Sequence, residues 1–268
     1  MSKVTITKTS TGGGEMGSSK IEWLQNADGT PGKVWNPITG CTKISEGCKN
    51  CYAERMFNRK LWDYDFTPGT VHEDRWSQPQ KWKDPKRIFC CSMGDLFHDD
   101  VDIQAFVSVV IQATWHCQRH TFMCLTKRPQ NMARAVEWYR LHMERELPPN
   151  LWLGVTAENQ HHWDHRVHHL RQIPAAVRFV SVEPMLGPIQ PAGTHLRGFN
   201  HLDWVICGAE TGPGKRPMAD QWAYDLVTQC HAADVPFFFK KDSRGNGTLA
   251  GQEWKQIPSN ERLTDDDR

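Results

Sequence analysis

Three cysteines stand close together at Cys41, Cys48 and Cys51, spaced C-x6-C-x2-C. A thiolate is a soft ligand for zinc or iron, so three in one short span make a metal site the first chemistry to consider. Pro37, Gly40 and Gly47 punctuate the segment, and a helix-forming run from Tyr52 to Lys60 follows the third cysteine. The layout is a loop that feeds thiolates inward and then enters a helix. A closed zinc site takes four ligands, so a distant Cys or His would have to complete this one. Three cysteines with an open position also suit a [4Fe–4S] cluster with one free iron. The spacing alone leaves both open.

A second set of reactive side chains follows short apolar runs. Ser92, Gly94 and Asp95 come after one such run, Lys127 and Arg128 after the next, then Thr156, Glu158 and Asn159, then Glu183. Glu210, Lys215 and Arg216 follow a fifth, and Lys240 and Lys241 a sixth. Any one of these residues can be explained as the start of a solvated loop. As a set they point to one shared site, because parallel α/β folds place their chemistry beyond the carboxyl ends of their strands.

The elements that must position these residues are legible in the pattern. Apolar, β-prone runs lie at 87–92, 121–126, 151–156, 177–182, 202–207 and 235–240, each the length of a strand buried on both faces. Helical spacing predicts helices at about 102–118, 129–147, 160–172 and 219–233, the first lined by Ile103, Phe106, Val107, Val110, Ile111 and Trp115. Strand alternating with helix argues for a mostly parallel sheet with right-handed crossovers. The expected fold is α/β, a partial (β/α)6 TIM-like barrel, with one further strand before the cysteines as an addition and a doubly wound open sheet as the alternative. Residues 1–19 read as a flexible arm, 20–257 as a single domain and 258–268 as an acidic tail. Residues 25–40 and 187–201 read as loops.

The totals narrow the class. The chain has 268 residues and a formal net charge of +1, so no global field demands or excludes a nucleic-acid partner. Nine cysteines, an odd number in a chain of this length, do not make a secreted disulfide scaffold. No apolar signal segment precedes the first cysteine and no run is apolar enough to cross a membrane, so a reducing cytosol is expected. Cys90, Cys91, Cys117, Cys124, Cys207 and Cys230 read mostly as small core residues. The histidines from His161 to His169 have metal-ligand spacing but read as a solvated helix face. Gly208–Gly214 lacks the Gly-Lys-Ser/Thr ending of a triphosphate loop. One of Asp99 and Asp100 is expected to cap the following helix.

Several short motifs carry a resemblance. They are Trp35-Asn-Pro-x-x-Gly-Cys41, Gly47-Cys48-x-Asn-Cys51-Tyr-Ala-Glu54, Ser92-Met-x-Asp95-Leu-Phe, Leu125-Thr-Lys-Arg-Pro129, Leu153-Gly-Val-Thr-x-Glu-Asn159, Ser181-Val-Glu-Pro184, Gly208-x-Glu-x-Gly-Pro-Gly-x-Arg-Pro217 and Pro236-Phe-Phe-Phe-Lys240. Over most of residues 20–241 the chain resembles the phage Gp37/Gp68-type three-cysteine proteins and, through them, the radical S-adenosylmethionine (SAM) superfamily. The resemblance implies a [4Fe–4S] cluster on Cys41, Cys48 and Cys51, with SAM bound near Ser92, Gly94, Asp95, Thr156, Glu158 and Asn159. It implies catalytic roles for Glu183, Glu210 and Lys240, and an anion-binding rim of Lys127, Arg128, Lys215, Arg216 and Lys241. It further implies an external electron donor, a 5′-deoxyadenosyl radical and a DNA substrate bearing a hypermodified base. The location implied is the cytoplasm, that of the host if the chain is phage-encoded. The competing expectations are a zinc-bearing nucleic-acid-binding protein without catalysis and a base-modifying protein that does not use SAM.

Overall fold

The computed structural model describes residues 19, 21–59, 65–191 and 199–258. The expected arm at 1–19 falls almost wholly outside these residues, as does the acidic tail and part of the 187–201 loop. The strands are β1 (Lys33–Trp35), β2 (Ile38–Thr39), β3 (Thr70–Val71), β4 (Arg87–Cys90), β5 (Thr121–Thr126) and β6 (Leu151–Thr156). They continue with β7 (Val177–Val182), β8 (Trp204–Cys207), β9 (Phe237–Phe239), β10 (Thr248–Leu249) and β11 (Gln252–Glu253). The helices are α1 (Tyr52–Asn58), α2 (Gln78–Lys81), α3 (Ile103–Ala105), α4 (Gln112–His116), α5 (Pro129–Met143), α6 (Gln160–Leu170) and α7 (Asp220–Ala232).

Seven strands form one parallel sheet in the order β1-β4-β5-β6-β7-β8-β9, curled into a half-barrel. The six expected strands are all present, and so is the further strand expected before the cysteines: it is Lys33–Trp35, inside 25–40, a stretch otherwise read as a loop. Its three residues lie among Gly32, Asn36 and Pro37, too short for an alternating pattern to show; pairing Val34 with Phe89 makes them a strand. The expected first helix is also more complex. Between α3 and α4 the segment Phe106–Ile111 is π-helical, which places five of its six residues in the core. Its cap is Asp102, which accepts from the Gln104 N–H at 2.9 Å, instead of Asp99 or Asp100.

Sequential strand order with crossovers of one hand puts α5, α6, α7 and the helical segment 103–116 on one face of the sheet. The side chains divide accordingly, with the period of two that a strand imposes. Ile88, Cys90, Phe122, Cys124, Leu153, Val155, Val180, Val182, Val205 and Phe239 pack with Val110, Val136, Val167 and Leu226 of the helical layer. The alternate residues Phe89, Met123, Trp152, Phe179, Trp204, Ile206 and Phe238 form a separate concave cluster closed by Trp23 and Leu24. Trp204 lies edge-on to Trp23, Trp152 and Phe238, so aromatic rings fill the lower half of the concavity. At Gly154 an added Cβ would lie 2.6 Å from the Phe179 ring, so glycine makes room for that ring. No helix among the described residues is long and apolar enough to cross a membrane.

Candidate functional site

The same alternation, carried past the strand ends, decides which polar residues face the concavity. Beyond Leu125 comes Lys127; beyond Thr156, Glu158; beyond Ser181, Glu183; beyond Gly208, Glu210; beyond Phe238, Lys240. These are five of the residues expected from the sequence, and the cysteine loop lies against three of them, Lys127, Glu158 and Glu210.

Glu158 ties that loop down. It is fully buried, accepts from Ser45 Oγ at 2.6 Å and Arg166 Nη1 at 2.8 Å, and lies 3.6 Å from Lys127 Nζ. Burial works to raise its carboxyl, but Lys127 and Arg166 outweigh it and hold the group below the ordinary value. Gly47 allows the approach: a Cβ there would sit 2.2 Å from Glu158 Oε1. Glu46 adds bonds from Asn159 and His162 of the next loop and helix. Further along, Asn50 donates to Glu210 Oε2 at 3.0 Å and to the Gly214 carbonyl at 2.9 Å. Arg216 pairs with Glu210 and, through hydrogen bonding, pulls its carboxyl down to about 2.

The start of the loop is fastened to the Ser92–Asp95 turn. The Gly40 N–H donates to the Met93 carbonyl at 3.0 Å, and the Asp95 N–H to the Gly40 carbonyl at 3.3 Å. Gly40 has φ of 90°, and a Cβ there would strike the Thr67 carbonyl at 1.9 Å. Asn36 Oδ1 accepts from the Met93 N–H at 2.9 Å, and Tyr52 OH donates to the Ser92 carbonyl at 2.5 Å. Both oxygens of Asp95 are engaged: Thr126 Oγ1 and the Phe97 N–H donate to one, Arg128 to the other. The Gly94 carbonyl accepts no hydrogen bond among the described residues.

The sulfurs differ in character. Cys41, Cys48 and Cys51 are partly accessible, whereas the other six cysteines are buried. Burial and the neighbouring Asp95 push the Cys41 thiol up to about 11, although Arg128 Nη1 lies 3.6 Å from its Sγ. Burial also opposes ionisation of Cys48, but Lys127 and the hydrogen bonds from Ile44 and Ser45 outweigh it and lower the thiol. Among the described residues no three His, Cys, Asp or Glu side chains form a single-ion site. An iron–sulfur cluster distributes its thiolates over different irons, so its ligands do not converge on one point. By donor type, accessibility and neighbouring positive charge, the three cysteines fit such a cluster.

The rim expected to be cationic is largely neutralised. Lys127 faces Glu158, Arg128 pairs with Asp95 at 3.0 Å, and Lys241 pairs with Glu22 at 2.9 Å. Lys215 donates to the Ser243 carbonyl at 2.6 Å. Lys240 Nζ reaches Glu183 Oε1 at 2.5 Å by passing over Gly208, where a Cβ would lie 3.1 Å from the Lys240 Cβ. Thr156 is buried at the end of β6, its carbonyl accepting from Arg166 at 2.8 Å, and Asn159 caps α6 by accepting from the His162 N–H at 3.1 Å. Sequence reasoning did not single out Asn36, Ser45, Asn50 or Arg166. Asn36 and Asn50 stood inside quoted motifs, and Arg166 was hidden among histidines on a helix face read as solvated.

One family model, described as "Protein of unknown function (DUF5131)", matches residues 18–258. No significant match is found among the curated proteins or the solved structures.

Proposed function

This chain belongs to the DUF5131 family, and we propose that it is a radical SAM enzyme whose Cys41, Cys48 and Cys51 hold a [4Fe–4S] cluster. One observation carries the reading. Of nine cysteines, only these three are accessible, and their loop is fastened at the carboxyl end of a curled parallel sheet by Glu158 and Glu210. The cluster, when bound, supplies the electron that splits the sulfonium of SAM and releases a 5′-deoxyadenosyl radical.

The chain's own residues prepare the place. Lys127 favours the thiolate of Cys48, while Cys41 gives up its proton on ligation, with Arg128 beside it to balance the charge. The Gly94 carbonyl, unpartnered among the described residues, is the acceptor that would meet the amino group of SAM, since both oxygens of Asp95 are already engaged by Thr126, Phe97 and Arg128. Asp95 therefore shapes the turn. Glu158 and Asn159 position the cysteine loop and α6. The Glu183–Lys240 pair faces the concavity from the last strands beside Glu210, and in this reading it would hold or move a proton on the substrate. The substrate class, a modified base of DNA, and the external electron donor rest on the resemblance of the motifs.

Anaerobic reconstitution tests the reading. The expected result is a brown protein with bound iron and sulfide that cleaves SAM on reduction, and whose iron is lost in Cys48→Ala. Stoichiometric zinc with neither iron nor SAM cleavage would favour the non-catalytic zinc protein instead. Nucleoside mass spectrometry after incubation with DNA identifies the product.

A further inference from the structure

Positive charge at the mouth is mostly paired with carboxylates: Lys127 with Glu158, Arg128 with Asp95, Arg216 with Glu210, Lys240 with Glu183 and Lys241 with Glu22. Two guanidinium groups past Cys51, Arg55 on α1 and Arg59 at its C-terminal cap, differ. Arg55 bonds only to carbonyl oxygens, of Thr211 at 3.3 Å and Pro213 at 3.4 Å. Arg59 has no side-chain partner among the described residues. Both line a cavity of about 390 Å³, together with Tyr52, Met56, Gly212 and Pro213.

The cavity wall is built for this arrangement. Gly212 has φ of 90°, and a Cβ there would fall 2.4 Å from Arg55 Nη1, so any other residue would push the guanidinium away. The guanidinium has five N–H donors, and only two point at carbonyls; the rest remain for an incoming anion. Tyr52 is anchored through its hydroxyl to the Ser92 carbonyl, yet 45% of the residue stays exposed. An anchored aromatic ring beside two guanidinium groups that have no carboxylate partner among the described residues matches a planar group that carries a phosphate ester. Guanidinium forks fit phosphate oxygens, and aromatic rings stack on bases whatever their identity.

We propose that this cavity docks one nucleotide of a single-stranded nucleic acid, with Tyr52 against the base and Arg55 and Arg59 on the phosphate. A single strand is favoured because a base in a duplex must first leave its stack. The proposal deepens the functional reading and rests on it only for what happens at the neighbouring cysteines.

Binding tests it without any turnover. The probe is a short fluorescein-labelled single-stranded DNA, followed by anisotropy on the full chain, with inorganic phosphate as competitor. Arg55→Gln and Arg59→Gln are each expected to weaken binding about tenfold. Each should also reduce the slope of log K against log salt by about one. Tyr52→Leu weakens binding with the slope unchanged. Arg134→Gln, on α5 and outside the cavity, leaves both unchanged, and thermal melts confirm that the variants fold. Unaltered affinity in both arginine variants overturns the subsite while leaving the enzyme reading in place. Iron-dependent SAM cleavage by a protein that binds no oligonucleotide does the same. Binding that both arginine variants lose, in a protein with no iron and no SAM cleavage, keeps the subsite and removes the enzyme reading.

Discussion

Glu158 illustrates how much a single carboxylate does in this molecule. It neutralises Arg166, faces Lys127 and holds Ser45 of the cysteine loop, all from a fully buried position. Changing Glu158 to Gln strands Arg166, whose side chain is 3% exposed, without its countercharge. The expected loss is about 3–5 kcal/mol in denaturant unfolding, together with reduced iron uptake; a change under about 1 kcal/mol would show that the loop is held by other bonds. Glu210 makes a second, pH-dependent case. Its carboxyl titrates at about 2 instead of 4.5 because Arg216 hydrogen-bonds its ionised form. A group with a lower pKa in the folded state stabilises above its unfolded value and loses that contribution as pH falls through the folded value. The stability gap between the wild type and Glu210→Gln should therefore be full at neutral pH and close between pH 4.5 and about 2. Thermal melts across that range measure it, and a gap independent of pH would reject the Arg216 pairing. At this scale the sequence was half legible. The charged residues at the strand ends were visible by type, but their pairings depend on register and on glycines that let chains cross.

The strand is the element that organises the site. Its two-residue alternation sends one set of side chains to the helices and the other to the concavity, where aromatic rings give way to charged groups toward the carboxyl ends. Gly154→Ala tests the aromatic half, because its Cβ would overlap the Phe179 ring. Overpacking of this kind costs about 1–3 kcal/mol, measurable in urea unfolding. Gly208→Val tests the polar half: its branched side chain would occupy the path between Lys240 and Glu183. Near-wild-type melting with loss of substrate turnover is expected, and retained turnover would remove the pair from the mechanism. Six strands could be read from the sequence because each is an apolar run bounded by polar residues. β1 was expected only as a further strand somewhere before the cysteines, and its place could not be read, since Lys33, Val34 and Trp35 gain their strand character from pairing with β4. The π-helical stretch Phe106–Ile111 was equally hidden, because its residues suit an ordinary amphipathic helix.

The whole molecule is a chain of neighbours in which every strand of the main sheet after β1 pairs with the strand before it. The two cores share the same strands, so tryptophan fluorescence and far-ultraviolet circular dichroism should report one coincident unfolding transition; separated midpoints would mean that the concave cluster melts alone. The overall architecture was the most legible level, because alternating strands and helices admit few arrangements. The order also bears on how the chain is made. A ribosome delivers each strand beside a partner already present, so the sheet can grow as it emerges. The middle of the cysteine loop has no such partner at hand. The acceptor for Ser45 lies 113 residues downstream and that for Asn50 lies 160 residues downstream. During synthesis the Cys48 part of the loop must therefore wait for these two fastenings until most of the sheet has been translated, whereas its Cys41 end can dock on the Ser92–Asp95 turn much earlier.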